Sequence, residues 1–233
     1  MKLLVLNFIL ILINPTPRGW FESQYTDALQ EVINNKAVIN STLSKCNVSA
    51  SEAIAVVFPE MLRYSLWKNF LETSALELLY VQKGSKSANF SIGWFQMKPS
   101  FAEKVECHIL TDSILRSKYK QLINFNCTVS DTVLVRKKRV ARLNLMQWQL
   151  WYLSAFIDIE YQIFNLSKLS YNERLLILAA AYNKGLDKTR NELMAFSSIK
   201  TFPYGPGRDN PFGYAELSIY FYKNDSKLVL NPN

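Results

Sequence analysis

The segment Leu175-Leu176-Ile177-Leu178-Ala179-Ala180-Ala181 puts seven consecutive apolar residues inside Tyr171–Asn183, a stretch with no glycine or proline. A helix that is apolar on every side has no face to offer water, so it must run through the middle of a core. Val140–Phe164 makes the same demand, with Trp148, Trp151, Phe156 and Ile159 spread around it. Two such rods require amphipathic helices to wrap them. The chain has 233 residues, 49% hydrophobic and 20% charged, which is enough for one domain with its own core. That composition excludes a disordered acidic chain and a disulfide-dense miniprotein. The expected fold is mainly α, a single compact helical domain with at most a small hairpin.

Trp20–Asn35 reads as a first helix, and Lys36–Val48 reads as polar and turn-like. Ser49 or Ser51 can cap the next helix, with Glu52 near its positive end. There Ile54, Val57, Phe58, Met61, Leu62 and Ser65 follow 3-4 spacing, and Pro59 is expected to kink or end the helix. Phe70–Val81 follows and closes at Gly84. Lys86–Ser100 is loop-like with a short hairpin around Gly93, and Pro99 starts another helix. Thr201–Gly213 is a loop by its Pro, Gly, Asp and Asn content, and Tyr214–Tyr222 is a last short element.

Leu3–Ile13 is an uncharged apolar run behind Lys2 and before Asn14-Pro15. Such a helix reaches only about half of a roughly 30 Å hydrocarbon layer. Its form matches a secretory leader, here residues 1–19, with the domain proper over 20–233. Export to a bacterial periplasm is the expectation, with no integral span once the leader is removed. The formal net charge is +8, or +6 without a leader that carries off Lys2 and Arg18. A basic protein of this kind is drawn to anionic polymers.

Cys46, Cys107 and Cys127 lack metal-ligand spacing, and the adjacent His108 is the sole histidine. No metal site or cofactor is expected, and a Cys107–Cys127 disulfide is a guess for an oxidising compartment. The run Arg136-Lys137-Lys138-Arg139 with Arg142 reads as a solvated charged face. It has no interleaved aromatics and no nucleic-acid module around it, so no nucleic-acid partner is expected.

Three further blocks carry chemistry: Val57-Phe58-Pro59-Glu60, Ser91-Ile92-Gly93-Trp94-Phe95-Gln96-Met97-Lys98-Pro99-Ser100-Phe101-Ala102, and Ala180-Ala181-Tyr182-Asn183-Lys184-Gly185. In this order they resemble the signature of the lytic transglycosylases and goose-type lysozymes of the lysozyme-like superfamily. That signature is a Glu at a helix end, a Gly-x-x-Gln block ending in Pro-Ser/Thr, and Ala-Tyr-Asn-x-Gly. Trp151-Tyr152-Leu153 resembles the entry to the family's penultimate helix, and the likeness spans about Ser51–Gly185. The first two strings also resemble an exported Bacteroidetes branch.

The resemblance implies a lysozyme-like α+β fold and cleavage of the β-1,4 bond between N-acetylmuramic acid and N-acetylglucosamine in peptidoglycan glycan strands. Glu60 would be the single catalytic acid/base, without metal or organic cofactor, giving a 1,6-anhydro product. A glycosidic oxygen leaves only when protonated, which needs a neutral carboxyl among apolar walls, and Val56, Val57, Phe58, Met61 and Leu62 surround Glu60 in sequence. On an ideal helix, however, Glu60 falls about 120° from the apolar stripe, on a solvated face.

By the same resemblance Gln96 would face the glycan and Tyr182 would lie near the catalytic Glu. Gly93 would let backbone approach the sugar, and Trp94 or Phe95 would wall it. The plain alternative makes these three a turn glycine and two core aromatics. Asn183 is assigned to the same site, although closing its helix is its simpler role. Three features depart from the family: Met61 follows the Glu where Ser is common, Lys184 replaces a small residue, and 33 residues separate Glu60 from Gly93. A lysozyme-type hydrolase and an inactive peptidoglycan-binding protein stay open as alternatives.

Overall fold

The computed structural model describes residues 15–67, 74–127 and 132–230, so most of the expected leader lies outside the described residues. These residues form helices α1 (Pro17–Asn34), α2 (Lys36–Lys45), α3 (Ala50–Trp67), α4 (Ser74–Lys83), α5 (Pro99–Thr111), α6 (Ser113–Lys118), α7 (Lys120–Cys127), α8 (Thr132–Leu143), α9 (Met146–Phe164), α10 (Tyr171–Lys184), α11 (Arg190–Ser197), α12 (Tyr214–Asn224) and α13 (Ser226–Leu230). The antiparallel strands β1 (Lys200–Phe202) and β2 (Phe212–Gly213) pair with Lys200 opposite Gly213. The fold is mainly α, and among the described residues no helix is long and apolar enough to cross a membrane. Helix α1 starts at Pro17, inside the expected leader, with Thr16 Oγ1 accepting from Gly19 N.

Helices α3 and α10 run through the core, and α1 and α12 pack on α3. Residues 175 and 177–181 of α10 are buried, as their unbroken apolar run requires. Helix α3 is buried continuously from Glu52 to Leu62 and continues through Pro59 to Trp67. An interior proline costs a backbone hydrogen bond. Pro59 is buried, and one turn earlier the Tyr214 hydroxyl donates to Val56 O at 3.3 Å, tying α12 to this part of α3.

Two other expectations fail on tertiary grounds. Lys36–Val48 is not a turn: α2 occupies most of it, packs on α9, and buries Ile39 and Leu43, one helical turn apart. Its many polar residues mask a narrow apolar stripe. The rod expected over Val140–Phe164 is broken at Asn144-Leu145, where Leu145 is extended. Gln149 repairs the break, donating from Nε2 to Leu143 O at 2.6 Å. The start expected at Phe70 lies outside the described residues, and the helix that follows ends at Gly84 as anticipated.

The basic run is largely structural. Arg139 is buried, its guanidinium forked on Glu106 at 2.9 and 2.5 Å and donating to the Tyr80 hydroxyl at 2.6 Å. Arg142 lies over the Trp148 ring at 4.1 Å and donates to Gln121 O. Arg136 donates to Gln82 O at the end of α4. Lys137 and Lys138 are exposed.

Candidate functional site

Gly93 to Gln96 form a tight turn closed by a two-way bridge, Ile92 N to Met97 O at 3.0 Å and Met97 N to Ile92 O at 3.1 Å. This is the small hairpin expected around Gly93. Gln149 reaches into it from α9: its Oε1 accepts from Phe95 N at 3.0 Å and its Nε2 donates to Ile92 O at 3.0 Å. A methyl group on Gly93 would sit 1.8 Å from that Nε2, and the φ of Gly93 is +66°. Gly93 therefore admits a buried amide on the side where a Cβ would stand. Gln96 follows at φ +50°, its Nε2 donating to Gly93 O at 2.8 Å.

An open cleft of about 300 Å³ lies beside this turn. Glu60 enters it from α3, Ser91 and Gln96 from the turn, and Tyr182 and Asn183 from the end of α10. Segments more than 120 residues apart at the extremes, Glu60 and Asn183, thus share one cavity. Trp94 and Phe95 are not among its lining residues. Trp94 packs on Tyr64 with ring centroids 4.4 Å apart, and Phe95 is wholly buried. Their contacts fit the plain alternative for these positions, two packing aromatics.

Glu60 is 6% exposed, so the solvated-face expectation from its helical phase fails. The phase records only where the apolar stripe points, while α10 and α12 pack on α3 and bring Tyr182 and Tyr214 near Glu60. One guanidinium nitrogen of Arg63 lies 2.7 Å from both Glu60 oxygens. Arg63 also stacks over Phe202 at 5.1 Å and Tyr214 at 6.0 Å. The immediate surroundings of the carboxylate are thus a cation and two tyrosines. Burial, with the Glu60 charge next, pushes the Tyr182 and Tyr214 hydroxyls well above the usual phenol range. Both stay neutral near Glu60.

The Tyr182 hydroxyl donates to Phe95 O at 2.7 Å, tying α10 to the turn. Its ring meets Phe101 and Phe156 edge-on at 5.2 and 5.5 Å. Asn183 lines the cleft, and the helix is closed by Gly185, whose N–H donates to Ala181 O at 2.7 Å. Arg63, Asn89 and Lys104 also line the cleft without having been singled out. For Arg63 a signal existed, since three residues after Glu60 is the same helix face. Nothing local marks Asn89 or Lys104. Lys98 and Lys184 add positive charge to the rim.

Among the described residues no group of three or more His, Cys, Asp or Glu side chains is arranged to hold a metal. Cys107 is exposed and carries no disulfide, contrary to the guessed pairing, and Cys46 is a buried free thiol. Burial pushes the Cys46 thiol up. No protein-family model, no curated protein and no solved structure matches the chain.

Proposed function

We propose that this protein is an exported peptidoglycan lytic transglycosylase with Glu60 as its acid/base. The observation that carries the reading is the meeting of Glu60, Gln96 and Tyr182, from three distant blocks, on one open cleft. Asn89, Ser91, Gln96 and Asn183 suit a glycan, since amides and hydroxyls can both donate to and accept from sugar hydroxyl and N-acetyl groups. In the proposed reaction a protonated Glu60 gives its proton to the glycosidic oxygen as the bond to C1 breaks. The resulting carboxylate takes the proton of the sugar's own 6-hydroxyl, whose oxygen closes on C1 as the 1,6-anhydro ring. If water takes that place the product has a reducing end and the enzyme is a lysozyme.

An ion-paired carboxylate must first shed its guanidinium partner to donate a proton. Arg63 reaches the cleft and is only part-buried, so it has room to swing toward solvent. The same pair is the observation that favours a second reading, a peptidoglycan-binding protein in which Glu60 is a structural anion. Digestion of purified peptidoglycan by the wild type and Glu60→Gln, with products read by mass spectrometry, separates them. Anhydro-muropeptides from the wild type alone are expected. Reducing ends indicate a hydrolase, and binding of sacculi without products from either protein overturns the enzymatic reading.

A further inference from the structure

The charges around the cleft do not cancel. Glu60 is matched by Arg63, and Lys104 is ion-paired with Asp187 just outside the lining. Lys98 and Lys184 remain, one immediately before α5 and the other in the last turn of α10. Both are exposed, both line the same cavity, and neither forms an ion pair among the described residues. The Lys184 ammonium rests 4.4 Å from the centre of the Phe196 ring, in a neighbouring hollow that Lys184 shares with the cleft, a swing of one flexible side chain from its opening. Two sequence blocks with neutral hydrogen-bonding groups thus each also bring a lysine to the opening.

We propose that Lys98 and Lys184 select glycan strands that carry carboxylated peptides over uncharged glycan. This rests on the peptidoglycan reading of the cleft and names the part of the substrate that its rim recognises. The neutral groups at the floor suit sugar hydroxyls and acetamides, which carry no charge and cannot use an ammonium fully. Lysine is a flexible point charge with three donors, suited to carboxylates on a mobile substituent at no fixed angle. In peptide-bearing strands the stem carboxylates outnumber the amines, so each repeat along the cleft offers net negative charge. Polyphosphates and nucleic acids would also feel the field, but their backbones carry no acetamide or sugar-ring pattern for the amides below.

The test compares binding of three probes to the full chain and to a Lys98→Gln/Lys184→Gln variant. The probes are peptide-bearing glycan strands, the same strands stripped by an amidase to one lactyl carboxylate per disaccharide, and an uncharged N-acetylglucosamine oligomer. The wild type is expected to bind them in that order, with about a three- to tenfold span at physiological salt, the scale of two exposed charge contacts. The span should shrink as salt shortens the screening length from about 8 Å toward 3 Å. The variant should lose most of it. The salt series needs only the wild type, so a span that salt leaves unchanged overturns the inference even if the variant folds poorly.

Equal wild-type binding of all three probes, or an unchanged span in a folded variant, overturns the inference while leaving glycan binding intact. Binding of inorganic polyphosphate more tightly than any glycan also overturns it. Failure to bind any of the three glycans defeats the peptidoglycan reading and the inference with it.

Discussion

One nitrogen of Arg63 bridges both oxygens of Glu60 from the next turn of α3, at 2.7 Å to each. The carboxylate is nearly sealed from water while the guanidinium is part-exposed, so the pair is asymmetric. Removing the cation strands a buried charge, whereas removing the anion frees an arginine that can reach solvent. Arg63→Met is expected to cost about 1–3 kcal/mol in urea unfolding. Adding Glu60→Gln to it should recover much of the loss. A double variant no more stable than Arg63→Met would show that the pair contributes little.

Gly93→Ala is expected to cost about 2–4 kcal/mol, from left-handed backbone strain and from a methyl driven into Gln149. Gln149→Ala removes the clash but also the two hydrogen bonds that tie α9 to the turn and the one to Leu143 O at the end of α8. The two losses should therefore be less than additive in a double-mutant cycle. Strict additivity would mean that the methyl does not meet Gln149.

Glu160 lies fully buried on α9, and neither carboxylate oxygen has a hydrogen-bond partner. Burial first, and the negative charge of Asp187 second, push its carboxyl up to about 8. The folded value exceeds the unfolded one, so the native state holds the proton more tightly. Its contribution is complete below the ordinary carboxyl range and is lost as pH rises through about 8. Wild-type stability should fall across that window, and Glu160→Gln should flatten the slope. At pH 8 the variant should be the more stable by on the order of a few kcal/mol. Parallel pH profiles for the two proteins in thermal melts would reject this account.

Arg139→Met leaves Glu106 buried with its guanidinium fork gone, although the Tyr152 hydroxyl still donates to it at 2.6 Å. A loss of about 3–5 kcal/mol is expected, little affected by salt because the pair is shielded. Lys138→Gln, one residue earlier on an exposed position, should shift stability by no more than about 0.5 kcal/mol. Chemical denaturation at two salt concentrations distinguishes the two. Similar small effects for both would restore the view of the run as a solvated face.

The contrast between Arg139 and Lys138 shows where a linear reading stops. Helices were legible wherever a periodic or unbroken apolar pattern demanded burial, as in Leu175–Ala181, and wherever Pro99 or Gly84 punctuated the chain. The polar-rich α2 was missed because only Ile39 and Leu43 carry its stripe. In the cleft, Glu60, Gln96, Tyr182 and Asn183 were legible through their motif blocks, and Arg63 was within reach through helix spacing. What Gly93, Trp94 and Phe95 touch was not legible in that block, because their partners Gln149, Tyr64 and the core come from distant segments.

By itself the sequence determined that the chain must be a helical domain built around apolar helices, Leu175–Ala181 foremost. Hydrophobic periodicity is local, so a helix's own residues state which of its faces must leave water. Only the tertiary structure decided which neighbour covers each remaining face. That choice buried Glu60 against Arg63 and seated Gln149 on the Gly93 turn. It also left Lys98 and Lys184 together at the cleft mouth, since burial and pairing depend on residues far away in the chain.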